Sequence, residues 1–239
     1  LIQGARESGV AGKDISVSDP SVTAREKCAS LFDANTFSNN EEATKNADIV
    51  VLSVKPQIIG KALQSVAASG RENLLYISVA AGVTLEQLNS YSEKNIAVVR
   101  CMPNTPAIIR AGITALIANQ NVTELQRSDA ENLLTAVGKT VWLNKESLMD
   151  AVTAISGSGP AYFFMLIELL ESCAVELGLS AELAKELSIQ TAYGACKLAR
   201  NVPESPRELR ENVTSPNGTT EAALRVFAAE ELDRIVKSA

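Results

Sequence analysis

Histidine is absent from all 239 residues. That gap excludes Ser-His-Asp triads, Cys-His dyads, His-ligated zinc and any histidine general acid. The four cysteines, Cys28, Cys101, Cys173 and Cys196, stand far apart with no C-x-x-C pair. Zinc and redox motifs are therefore lacking, and no metal is expected. Scattered single thiols suit a reducing compartment, so a cytoplasmic location and buried structural roles are expected. No basic patch carries interleaved aromatics, and nucleic acid is not an expected partner. Long apolar runs are missing too. The strongest, residues 161–170, is broken by Glu168, so no membrane span is expected. No secretory signal is visible.

What is present suffices for a buried core. Hydrophobic residues are 46% of the chain and charged residues 21%. A net charge of −6 reads as solubility rather than as a recognition surface. The length suits one large domain or two modest ones.

Strand and helix signals alternate over the first 143 residues. Short β-branched or apolar runs at 14–18, 47–54, 74–79, 96–101, 112–118 and 140–143 read as strands. Residues 47–54 are nearly all apolar, as in a central parallel strand covered on both faces. Helices are expected at 21–31 and 57–68, after a capping box at Thr84 and Gln87, and from a cap at Asn121 and Glu124 to residue 136. This alternation implies right-handed βαβ units and a doubly wound sheet. From Asn144 onward only helices are expected. Residues 161–177 carry Glu168, Glu171, Ser172 and Glu176 on one stripe and are otherwise apolar, so burial on most sides is expected. Small residues at Ala192, Gly194 and Ala195 permit close packing, and Ser205 and Glu208 form another capping box around Pro206. The expected plan is an α/β Rossmann-like domain, 1–144, followed by an all-α domain, 145–239. So apolar a helix in so small a domain implies a dimer interface.

The G-x-G-x-x-G loop of dinucleotide-binding domains is not in the sequence. Leu1 to Glu7 reads as the tail of the helix that follows such a loop, so a first strand and the loop are expected to precede it. Asp19, at the end of the 14–18 strand, stands where an acid can bond an adenosine ribose, or serves as a turn residue. An acid there favours NADH over NADPH. Arg25, nearby, could serve a 2′-phosphate. Ser53, Val54, Lys55 and Pro56 end the strongest strand, on the side where α/β sheets bind ligands. Val79, Ala80, Ala81 and Gly82 end the next one, and their small size admits a flat ring close to the backbone. Ser156, Gly157, Ser158 and Gly159 open the apolar helix and allow either an anion site or close packing. The segment Asn212, Val213, Thr214, Ser215, Pro216, Asn217, Gly218, Thr219, Thr220 combines hydroxyls, a turn and a helix start. Such amides and hydroxyls could cradle a carboxylate.

These stretches, with Arg100-Cys101-Met102-Pro103-Asn104-Thr105-Pro106 and Asp150 to Tyr162, together resemble the pyrroline-5-carboxylate reductase family. They follow the family's order across nearly the whole chain. The resemblance implies a Rossmann-like domain, a helical dimerisation domain, and homodimers that can assemble into decamers. It implies reduction of 1-pyrroline-5-carboxylate to L-proline with NADPH or NADH. By the same carry-over Asp19 lies near the ribose and Asn40 near the adenine. Ser53, Val54, Lys55 and Pro56 line the cofactor loop, with Val79 and Ala80 near the nicotinamide. Asn212, Val213, Thr214, Ser215, Gly218, Thr219 and Thr220 contact substrate, and Thr220 matches the hydroxyl at the imine nitrogen. Asn217 departs from the family's usual glycine, but asparagine tolerates positive φ. Such chemistry needs no histidine, because a protonated imine is already electrophilic and hydride transfer needs mainly positioning.

Two alternatives differ in class. A β-hydroxyacid dehydrogenase has a similar plan but needs a lysine early in the helix at 162–165, where Tyr162, Phe163, Phe164 and Met165 stand. A non-catalytic nucleotide-binding scaffold would have no use for the hydroxyl-rich loop.

Overall fold

The computed structural model describes residues 1–92 and 94–239. They divide into two compact units, Leu1–Phe163 and Phe164–Ala239.

The first unit opens with α1 (Ile2–Glu7), β1 (Ser16–Ser18), α2 (Val22–Phe32), β2 (Asn35–Phe37) and α3 (Asn40–Thr44). There follow β3 (Ile49–Leu52), α4 (Ile59–Ala67), β4 (Leu75–Ser78), α5 (Leu85–Ser90) and β5 (Ala97–Met102). Next are β6 (Gly112–Ala118), α6 (Glu124–Thr135), β7 (Gly138–Trp142) and α7 (Met149–Val152). Strands β1 and β2 pair in parallel as a small sheet, and β3-β4-β5-β6-β7 form a second.

Alternation of side chains explains why the central strands are apolar throughout. Val50, Leu52, Tyr76 and Val98 point to one face, where Ile59, Leu63 and Val66 of α4 and Leu88 of α5 meet them. Their neighbours Leu75, Ile77, Val99 and Cys101 point to the other, against Ala130 and Leu134 of α6. A strand covered on both faces has no polar side to show.

Several expectations are corrected. β6 runs antiparallel to β5, because only a 3-10 turn, Thr105–Ile109, joins them. That is too short for the crossover a parallel pair requires. β2 and α3 gave no sequence signal, being three and five residues long. The cap of α6 is Thr123, not Asn121, and Gln126 completes its capping box. Asn121 instead donates to the Ile96 carbonyl at 3.1 Å.

The Ser-Gly-Ser-Gly stretch, 156–159, does open α8 (Gly159–Glu176), but it leads in from a π-turn, Thr153–Gly157, that directly follows α7. Thr153 and Ser156 bond back to the carbonyls of Met149 and Val152, at 2.8 and 3.0 Å. Hydroxyls that bond back one turn loosen the backbone ladder and favour such a bulge. The Ser158 amide donates to the Thr153 carbonyl at 2.8 Å, so that amide is not open to an anion. Gly157 passes close to Met102 of the same chain, where a Cβ would lie 2.6 Å from Met102 Cε. Glu146–Glu176 thus forms a helical run of 31 residues, long and apolar enough by composition to cross a membrane. The expectation from uninterrupted runs alone missed it, since Glu168 interrupts the sequence but not the helix.

The second unit continues α8 and adds α9 (Ala181–Asn201), α10 (Pro206–Asn212), α11 (Thr219–Ala229) and α12 (Leu232–Ser238). Its described residues include only two buried ones, Ala184 and Ser188. The expected burial of α8 is therefore not met within a single chain: Phe163, Phe164, Met165, Leu166, Leu169 and Leu170 are all exposed. A helix this apolar is stable in water only against another surface.

Candidate functional site

The residues expected at the cofactor all lie in the first unit, at the C-terminal ends of parallel strands. Asp19 follows β1, and its amide donates to the Phe37 carbonyl of β2 at 3.3 Å. Its carboxylate accepts the Ser21 amide at 2.7 Å, which fixes the turn into α2. Arg25 donates to the Asp19 carbonyl at 2.6 Å, so the α2 cation is held at this strand end. Asn40 begins α3, immediately after β2 and its Asn39 cap.

On the larger sheet, Ser53, Lys55 and Pro56 are exposed beyond β3, and Val54 is half-buried. Pro56 opens a 3-10 turn, Pro56–Ile58, because its missing N–H suits a helix start. Beyond β4, Val79 donates to the Leu52 carbonyl at 3.4 Å, which ties the two strand ends together. Ala80 is buried, and its amide reaches the Ser78 hydroxyl at 3.4 Å. Gly82 has φ of +75° and open space where a Cβ would stand. Small side chains and accessible backbone at adjacent parallel strand ends fit a dinucleotide. Among the described residues no group of three or more acids or cysteines could hold a metal ion.

The hydroxyl-rich loop lies in the second unit. Asn212 closes α10 and Val213 caps it; Thr219 and Thr220 begin α11 after Gly218. Asn217 adopts φ of +61°, so asparagine does take the left-handed turn. Its amide donates to Glu221 Oε2 at 2.7 Å, and the Gly218 amide closes onto the Ser215 carbonyl at 3.0 Å. The Thr214 hydroxyl donates to the Arg210 carbonyl at 2.6 Å, which leaves its oxygen free only as an acceptor. No side chain caps α11, whereas α2, α5, α6, α9 and α10 each begin on a serine or threonine cap. The first amides of α11 therefore stay free to meet an anion.

Residues 146–239 match the family described as pyrroline-5-carboxylate reductase dimerisation. Residues 1–82 match that described as NADP oxidoreductase, coenzyme F420-dependent. A pyrroline-5-carboxylate reductase of Pseudomonas aeruginosa is 45% identical over all of this chain and 88% of its own length. The chain belongs to the pyrroline-5-carboxylate reductase family. The fold agrees over nearly all of this chain. A reductase of this kind from Coxiella burnetii superimposes with a TM-score of 0.92 at 36% identity, over 99% of this chain and 88% of that one. The Plasmodium falciparum enzyme, solved with NADP bound, gives 0.89 at 28% identity over 99% and 87%.

One group in the reductase escaped the sequence reading. Arg100, inside β5, is 4% exposed. Its Nη1 donates to Glu146 Oε1 at 2.8 Å, and the same oxygen accepts the Leu85 amide at 2.8 Å. A buried cation is tolerated only when paired and hydrogen-bonded. The signal was available: a lone arginine in the run Ile96-Ala97-Val98-Val99-Arg100-Cys101 demands a partner. Nothing in the sequence says that the partner is 46 residues away.

Proposed function

We infer that the protein reduces 1-pyrroline-5-carboxylate to L-proline with NAD(P)H, the last step of proline biosynthesis. The observation that carries this is the 45% identity to a named reductase of the family, over all of this chain and 88% of that protein. NAD(P)H, when bound, supplies the hydride.

The chain's own residues then have three tasks. Asp19 and Asn40 hold the adenosine end, and Ser53, Val54, Lys55 and Pro56 border the path of the cofactor. Val79 and Ala80 present a surface of small side chains to the nicotinamide. Asn212, Val213, Thr214, Ser215, Gly218, Thr219 and Thr220 bind the substrate carboxylate through amides and hydroxyls. This reading is supported by the free α11 amides, whose partial positive charge suits a carboxylate. The Thr220 hydroxyl bonds the ring nitrogen and keeps a proton there as the hydride reaches the adjacent carbon. Holding two bound molecules in register supplies most of the acceleration, so no strong side-chain base is required.

The enzyme is a homo-oligomer, and we assign the dimer contact to the exposed face of α8 and α9. This assignment accounts for the long apolar helix without a membrane. Assembly into a decamer and a cytoplasmic location are the further parts of the proposal. Asp19 favours NADH, and Arg25 beside it favours a 2′-phosphate, so the relative rates with NADH and NADPH measure that balance.

The test is substrate-dependent oxidation of each reduced cofactor, followed by absorbance. Thr220→Ala is expected to lower kcat by roughly 10²-fold, in the range for loss of a proton-handling group. Unchanged kcat and KM would remove Thr220 from the chemistry, and no oxidation with either cofactor would refute the activity.

A further inference from the structure

The loop that follows β4 is fixed at both ends. Upstream, the Ala80 amide reaches the Ser78 hydroxyl. Downstream, Thr84 and Gln87 close a capping box on α5. One further contact comes from far along the chain: Glu146 Oε1 accepts the Leu85 amide at 2.8 Å. That amide is among the first N–H groups of α5, which the helix itself leaves without a partner. The same oxygen holds Arg100 at 2.8 Å. Arg100 sits on β5 directly opposite Ser78 of β4, so its backbone adjoins the residue that steadies Ala80. A single carboxylate thereby joins the loop 80–84, the strand beside it and the start of the 31-residue helical run. The arrangement is stiff. The Arg100 side chain is 5% exposed and that of Glu146 28%, so water is nearly excluded from the guanidinium and partly from the carboxylate.

We propose that Glu146 and Arg100 are positioning residues for the reduction, setting the height of the 80–84 loop under the nicotinamide ring. Neither needs to touch cofactor or substrate. Glu146 acts through the Leu85 amide, and Arg100 holds the Glu146 carboxylate in place for it. The proposal rests on the reading that Val79 and Ala80 face the nicotinamide. It predicts a selective defect: the nicotinamide end loosens while the adenosine end, at Asp19 and Asn40, still binds.

The experiment compares two ligands on the same folded protein. NADPH carries the nicotinamide, and 2′-phospho-ADP-ribose lacks it. Glu146→Ala and Arg100→Lys are expected to weaken NADPH by about tenfold, the effect of roughly one hydrogen bond to a charged group. Affinity for 2′-phospho-ADP-ribose should be unchanged. Glu146→Gln retains an acceptor for Leu85 and should recover part of the NADPH affinity. Equal losses for both ligands, or no loss for either, would overturn the positioning role. Ala80→Val is measured in parallel to test the underlying reading. If it weakens NADPH alone while Glu146→Ala has no effect, the nicotinamide site stands and the role of Glu146 fails. If Ala80→Val affects both ligands equally, the nicotinamide site itself is misplaced. A Glu146→Ala protein that does not fold leaves Arg100→Lys and Glu146→Gln to decide by the same ratio.

Discussion

Replacing Phe164 with glutamate tests the assignment of α8 to the dimer contact. In the single chain this side chain is 63% exposed. A phenylalanine offers roughly 200 Å² of surface, so covering the exposed part removes about 125 Å² from water, worth ~3 kcal/mol at about 25 cal/mol per Å². In a two-fold dimer the residue counts twice, for ~6 kcal/mol, or roughly 10⁴-fold in the dimer dissociation constant. That figure assumes complete cover, and glutamate adds the cost of placing a charge in an apolar contact. Sedimentation velocity over a concentration series reads it directly. The wild-type enzyme should remain associated at concentrations where Phe164→Glu is monomeric. Circular dichroism should show the α/β unit still folded in the variant, because its three apolar clusters contain no residue of α8. A variant as fully associated as wild type would refute the reasoning, since no dimer that covers Phe164 could bury a charge at no cost.

Two further outcomes follow from local geometry. Burial pushes the Cys101 thiol from its ordinary 9.0 up to about 12. The folded state then holds a proton that the unfolded chain releases, so this contribution is intact below about pH 9 and is lost as pH rises toward 12. Stability of the wild type relative to Cys101→Ala should fall by at most ~1.4 kcal/mol per pH unit across that window. Denaturant melts at successive pH values check it, and a flat difference would contradict the burial. At the loop, Asn217 holds φ of +61°, where a β-branched side chain costs about 1–2 kcal/mol. Asn217→Val should raise KM for pyrroline-5-carboxylate, whereas Asn217→Gly should leave it near wild type. Equal KM values for the two variants would show that the turn does not shape the substrate site.

The parts of the fold written in composition were legible. Residues 47–54 read as a covered strand because they are nearly all apolar, and β3 occupies its centre, Ile49–Leu52. Gly112–Ala118 emerged with its full expected extent, bounded by the glycine that passes close to Ala107. Capping boxes at Thr84 and Ser205 were readable because a hydroxyl and an amide or acid three residues apart satisfy each other locally. Strand direction was not readable, because it depends on whether the link from β5 to β6 is long enough to cross over. The π-turn was hidden as well: Thr153 and Ser156 are ordinary helix-end residues until their hydroxyls choose carbonyls. The burial of α8 was misjudged for a related reason. An apolar pattern states that a helix needs cover and is silent about which chain provides it.

The candidate site divides along the same line. Asp19, Ser53 and Val79 became candidates because each follows a strand, and in parallel sheets the strand end is where ligands bind. The loop at 212–220 became a candidate because so many hydroxyls beside a turn exceed what a cap requires. Arg100 and Glu146 follow neither rule. Their importance lies in one oxygen shared between a buried guanidinium and a helix amide, a three-body contact spanning residues 85, 100 and 146. Sequence patterns report pairs at fixed spacing; they do not report contacts that the fold alone creates. In a reductase without histidine this matters, because accurate placement substitutes for a strong acid or base. The residues that set the geometry of such a site then act on the rate through those that touch the cofactor.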